Sequence, residues 1–83
     1  MILVRLPAML RGDESGTLTI SEPVQTIEQL VAALARARPG LAAQLDDTIF
    51  NFAVNDEMLI HDAPRHPLRD GDVVEIVPAI SGG

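Results

Sequence analysis

Eighty-three residues with twelve acids, six arginines, no lysine and no cysteine carry a formal charge of -6, enough chain for one small domain and too little for two cores. The 47% apolar content supplies that core, while an aromatic content of 2%, Phe50 and Phe52 alone, argues against a ring-stacking nucleic-acid platform, and the acidic balance repels phosphate backbones. No disulfide, thiol nucleophile or thiolate metal ligand is available.

The opening Met1-Ile2-Leu3-Val4-Arg5-Leu6-Pro7 has no basic lead and too short an apolar stretch for a signal peptide. No uncharged run approaches the ~20 residues that cross a bilayer. The expectation is a soluble cytoplasmic protein.

Ile2, Val4 and Leu6 alternate with Leu3 and Arg5, which predicts a first strand. After a polar turn at 11–16, Thr17-Leu18-Thr19-Ile20 alternates again and closes a hairpin. Thr26 followed by Gln29 fits a capping box, and Ile27, Leu30, Val31 and Leu34 recur with helical period. Arg36 and Arg38 favour the negative end of that helix, and Pro39-Gly40 stops it. One further short turn is expected over Leu41–Leu45.

Phe50, Phe52 and Val54 alternate up to Asn55-Asp56, a pair suited to a tight hairpin turn, and Met58-Leu59-Ile60 is the expected return strand. His61–Arg69, polar and holding Pro64 and Pro67, is expected to be loop. Asp70-Gly71-Asp72 then turns the chain into Val73-Val74-Glu75-Ile76-Val77, the strongest strand, closed by Pro78. The order is strand, strand, helix, strand, strand, strand. One amphipathic helix covers one side of such a sheet, so the other side faces water or a partner.

Side-chain chemistry is thin. His61 and His66 with Asp62 do not have a recognised metal-ligand spacing, and no thiol completes the set. Asp46-Asp47, Asp56-Glu57 and the pair Asp70 and Asp72 all fall in turns, where Asp is favoured for local hydrogen bonding. Ser15, Ser21 and Ser81 have no nearby histidine to act as base. A free-standing enzyme is therefore not expected.

The end of the sequence is the unusual part. Ala79-Ile80-Ser81-Gly82-Gly83 leaves the last strand at Pro78, reaches about 17 Å when extended, and has no side chain at its final two positions. Such a tail suits a narrow channel in a partner. Its terminal carboxylate, with a reference pKa of ~3.3 to 3.7, is an anion at neutral pH and reacts only after activation. The absence of lysine leaves no ε-amine for an activated copy to acylate.

Gly71-Asp72, the strand Val73–Val77, Pro78 and the terminal Gly82-Gly83 together resemble the ending of the MoaD/ThiS family of ubiquitin-like sulfur carriers. The Val54-Asn55-Asp56-Glu57 turn and the Thr26-Ile27 helix start fall where that family has them, so the resemblance spans nearly the whole chain. The opening Leu6-Pro7-Ala8-Met9-Leu10-Arg11 looks closest to the CysO-like branch, which serves cysteine biosynthesis. Ala79-Ile80 after Pro78 departs from the molybdopterin-synthase pattern, where a second proline and a valine are common.

The resemblance implies an α+β β-grasp fold: a mixed sheet of four to five strands with one main helix on one face, a domain over 1–78 and a flexible tail over 79–83. It implies that an E1-like enzyme adenylates Gly83 with ATP and that sulfur then replaces the adenylate to give a thiocarboxylate. The carrier itself would hold no cofactor, since no phosphate-cradling loop is present. Gly83 would carry the sulfur, Gly82 would give clearance, and Ser81, Ile80 and Ala79 would lie in the partner's channel. On the sheet, Glu75 marks the face away from the helix, which places Val73 and Val77 beside it and Leu3 and Arg5 as neighbours in a docking surface.

The expected acceptor is a biosynthetic enzyme: a sulfhydrylase, a thiazole-synthase-like enzyme or the large subunit of molybdopterin synthase. The alternatives are a molybdopterin-synthase small subunit, a binding module without tail chemistry, and a protein modifier joined to target lysines.

Overall fold

The computed structural model of the chain describes residues 1–7, 16–41 and 50–78. Five strands, β1 (Ile2–Arg5), β2 (Thr17–Ile20), β3 (Phe50–Val54), β4 (Glu57–Met58) and β5 (Val73–Pro78), form one sheet in the order β2-β1-β5-β3-β4. β1 and β5 run parallel, and every other neighbouring pair is antiparallel. This is the mixed sheet with one main helix, α1 (Ile27–Ala37), that the sequence led us to expect.

The two-residue periodicity decides which side of each strand is buried. Register places Val4 opposite Val74, Phe52 opposite Ile76 and Ile2 opposite Ile20. These residues point at Ile27, Leu30 and Leu34 of α1 and form a single core with Leu6, Leu41 and Leu68. Val4, Leu30, Leu34 and Val74 have no exposed surface. Burying a side chain of this kind stabilises the fold by roughly 1.5 to 3 kcal/mol each.

The start of α1 follows from its capping residues. Thr26 is extended, and its hydroxyl accepts from the Gln29 backbone N–H at 3.2 Å. Gln29 Oε1 reaches back one residue beyond the cap, accepting from the Gln25 N–H at 2.7 Å. At the other end the Arg38 N–H donates to Leu34 O. Pro39-Gly40 ends the helix there, but a further helical turn begins at once over 39–41. Proline is favoured at a first helical position because its missing N–H would be unpaired there anyway. The remainder of the turn expected over Leu41–Leu45 lies outside the described residues.

Three boundaries differ from expectation. β1 ends at Arg5, although the Leu6 N–H still donates to Gly16 O at 2.7 Å. β4 is Glu57–Met58, not Met58–Ile60: the Leu59 N–H donates to Phe52 O at 2.8 Å, and the chain then leaves the sheet with Ile60 81% exposed. It leaves because residues 61–69 are more than a loop. A 3-10 turn (Ala63–Arg65) packs against α1, the Ile27 N–H donates to His66 O at 3.1 Å, the Leu68 N–H donates to Gln25 O at 2.9 Å, and Leu68 is buried. The segment straps the helix start to the body.

Candidate functional site

β5 lies in the middle of the sheet, bonded to β1 on one side and β3 on the other, so the segment beginning at residue 79 leaves from the best-anchored strand. Pro78, opposite Phe50, is the last strand residue. Ala79, Ile80, Ser81, Gly82 and Gly83, the proposed tail, lie outside the described residues.

The face away from the helix is set by the same register. Leu3 sits opposite Val73, Arg5 opposite Glu75 and Asn51 opposite Val77. The five residues named from the sequence, Leu3, Arg5, Val73, Glu75 and Val77, are therefore brought together on one side of two adjacent strands. Arg5 and Glu75 are exposed, whereas Leu3, Val73 and Val77 are half-buried. Ala53 and Met58 extend the same face across β3 and β4, with Met58 45% exposed. Alternation through Phe50, Phe52 and Val54 had drawn attention only to the core side of β3.

At the end of β5 this face runs into a shallow cleft of about 350 Å³ between β5 and the β1–β2 hairpin. Arg5, Pro7, Gly16, Thr17, Glu75 and Val77 line it. The cleft thus adjoins the root of the tail, and its charged walls are one guanidinium and one carboxylate.

At the opposite end of β5 the turns are tied to each other. Asn55 and Asp56 both have positive φ, 50° and 70°, as a type I′ hairpin turn requires. Gly71, at φ 93°, occupies the position of the second turn that other residues rarely adopt. The Arg69 backbone N–H donates to Asp72 Oδ2 at 2.8 Å, Asn55 Nδ2 donates to Asp72 Oδ1 at 3.1 Å, and the Val73 N–H donates to Asn55 Oδ1 at 3.0 Å. The Arg69 backbone bond, then the Asn55 bond, hold the Asp72 carboxyl below the ordinary carboxylate range. Asp72 is structural, as its place in a turn led us to expect. Asn55 was legible only as a turn former, since nothing in its spacing from Asp72 reveals the bond.

His61 is exposed and His66 half-buried, on either side of the 3-10 turn. Among the described residues no cluster of three or more His, Asp or Glu side chains is placed to hold a metal ion, and no helix is long and apolar enough to cross a membrane.

The model of the ThiS family matches residues 4–83, from the first strand through the two final glycines. The chain belongs to the ThiS family. The family is one of ubiquitin-like sulfur carriers. Among solved structures, the ThiS-family chain superposes on a chain of the Amycolatopsis orientalis BexX/CysO complex with a TM-score of 0.80, at 22% identity and with full coverage of both chains. It also matches a chain of the complex of subunits 1 and 2 of the molybdopterin-converting factor of Helicobacter pylori 26695, with a TM-score of 0.62 at 26% identity, covering 99% of this chain and 97% of that one. Both confirm the β-grasp fold, and both were solved as complexes of two proteins. The curated proteins yielded no match.

Proposed function

We propose that this ThiS-family chain is a protein co-substrate whose Gly83 is loaded with sulfur by an E1-like enzyme and unloaded by a biosynthetic acceptor. The observation that carries the reading is positional: the central strand β5 ends at Pro78, five residues before Gly83, and the family match runs without interruption to that glycine. A rigid strand delivers a tail of about 17 Å reach. Nothing bulkier than the Ser81 side chain follows Ile80.

The chemistry follows from the carboxylate. A Gly83 carboxylate oxygen attacks the α-phosphorus of ATP bound by the activating enzyme, and pyrophosphate leaves. A sulfide-level nucleophile then attacks the acyl carbon, and AMP leaves with the C–O bond's electron pair. The product thiocarboxylate is the sulfur donor, which explains how a chain without cysteine serves sulfur transfer. Leu3, Arg5, Val73, Glu75 and Val77 form the docking face while Ala79, Ile80, Ser81 and Gly82 thread the partner's channel.

We assign the acceptor to sulfur-containing metabolite synthesis, cysteine formation by a sulfhydrylase being the first candidate. Intact-mass measurement after incubation with an E1-like enzyme, ATP and sulfide tests the loading step. Replacement of one oxygen by sulfur is the expected result. Lysine-linked adducts with other proteins would instead mark a modifier, and an unchanged mass would mark a binding module. Offering the loaded chain to a sulfhydrylase, a thiazole-synthase-like enzyme and a molybdopterin-synthase large subunit then assigns the acceptor by which of them discharges it.

A further inference from the structure

The sheet ends in two edge strands, and they are unlike. β4 is two residues long and carries Glu57, and the chain then turns away from the sheet, so it offers little to another strand. Short length and charge are the ordinary protection of an edge. β2 has neither. Its four residues pair with β1 without a bulge, and the run from Gly16 to Ser21 holds no charged residue and no proline. In a chain of charge -6, this edge lets two copies meet without setting like charges against each other.

The phase of the hydrogen bonds shows which backbone groups that edge presents. The Leu6 N–H donates to Gly16 O, and two-residue alternation carries the bonded positions on to Val4 with Leu18 and Ile2 with Ile20. Leu3 falls between them. Its N–H donates to Asp72 O at 3.1 Å, toward β5, so the N–H and C=O of Thr19, its partner in the ladder, point out of the sheet. The side chains divide as the strand alternates: Thr19 is exposed on the uncovered side, whereas Ile20 is buried and Leu18 half-buried on the helix side. A groove of about 400 Å³ runs between β2 and α1, lined by Ile20, Ala33, Arg36 and Ala37.

We propose that β2 pairs antiparallel with β2 of a second copy, Thr19 opposite Thr19, joining two five-stranded sheets into a single continuous one. Thr19 exchanges both backbone bonds with its counterpart about a two-fold axis normal to the sheet. In that register Leu18 of each copy stands opposite Ile20 of the other and covers its groove against α1, while hydroxyl side chains meet on the uncovered side. β1 separates β2 from β5 in each copy, so the face formed by Leu3, Arg5, Val73, Glu75 and Val77 stays open. The paired run, 17–21, is far shorter than the ~20 to 30 residues a side of a standard interface, which sets a weak association with a Kd on the order of 0.1 mM.

Sedimentation equilibrium of the full chain from about 10 µM to about 1 mM brackets that constant. The wild-type mass should rise with concentration toward twice that of one chain. Thr19→Pro removes an N–H that the ladder to β1 does not use, so it should keep the far-ultraviolet circular dichroism spectrum and stay a monomer throughout. Thr19→Lys and Thr19→Glu place like charges opposite each other at the two-fold axis, so each alone should stay a monomer. Their equimolar mixture should dimerise, because only this register sets position 19 against itself. That mixture decides the matter even where the proline disturbs the strand. A wild type that remains a monomer at every concentration would overturn the proposal and leave the edge to a strand of another protein. A dimer that survives in folded Thr19→Pro, or a mixture of the charged variants that does not associate, would overturn it equally.

Discussion

Asn55 and Asp72, seventeen residues apart, are joined by a 3.1 Å bond from Nδ2 to Oδ1, and Asn55 Oδ1 in turn accepts from the Val73 N–H at 3.0 Å. One side chain thus fixes the β3–β4 turn to the start of the strand that carries the tail.

Asn55 has φ 50°, so two losses are separable at this position. Asn55→Gly keeps the left-handed backbone and removes both side-chain bonds, which should cost about 1 to 2 kcal/mol at this partly solvated site. Asn55→Ala should cost roughly 1 kcal/mol more through the unfavourable φ. Urea unfolding of the two variants against wild type measures both.

The pH dependence follows from the lowered Asp72 pKa. Its folded value lies below the unfolded one, so its contribution is fully present above the unfolded pKa of ~3.9 and is lost as pH falls through the folded value. Asp72→Asn keeps one acceptor and loses the charge. The stability gap between wild type and Asp72→Asn, followed by thermal unfolding, should be widest above about pH 5 and shrink steadily below pH 4.

Thr26 caps α1 through the 3.2 Å bond from the Gln29 N–H, next to the strap formed by Gln25 and Leu68. Thr26→Ala should lower stability by about 1 kcal/mol and Thr26→Ser should recover most of it. Denaturant midpoints at unchanged slope check this.

Position in the sheet decides what a substitution on the uncovered face does. Glu75 is exposed and opposite Arg5, so Glu75→Arg places two like charges side by side at the root of the tail without touching the core. Binding to the E1-like enzyme should weaken about tenfold or more, equivalent to ~1.4 kcal/mol, with the far-ultraviolet circular dichroism spectrum unchanged. Calorimetric titration measures the affinity.

Local periodicity made β1, β2, β3 and β5, α1 and both faces of β5 legible. Val73, Glu75 and Val77 had to share a side because side chains alternate, and only strand pairing was needed to bring Leu3 and Arg5 beside them. Leu68 was illegible because one apolar residue among Pro67, Arg69 and His66 has no period, and its burial comes from a bond to Gln25 forty-three positions earlier. β4 was misplaced by the apolar run Met58-Leu59-Ile60, which promised a strand where the chain already turns toward α1. Ala53 escaped notice because a small residue between Phe52 and Val54 reads as filler, although it pairs with Glu75 and Met58 on the uncovered face.

The role of the final glycine is tested most directly by comparing the wild-type chain, a chain lacking Gly83 and a chain carrying one residue after it, each treated with the E1-like enzyme, ATP and sulfide and weighed intact. All three should unfold at the same temperature, and wild type alone should exchange one oxygen for sulfur. Sulfur uptake by either altered chain at the wild-type rate, or none by the wild type while the same enzyme loads another ThiS-family carrier, would contradict the assignment of Gly83.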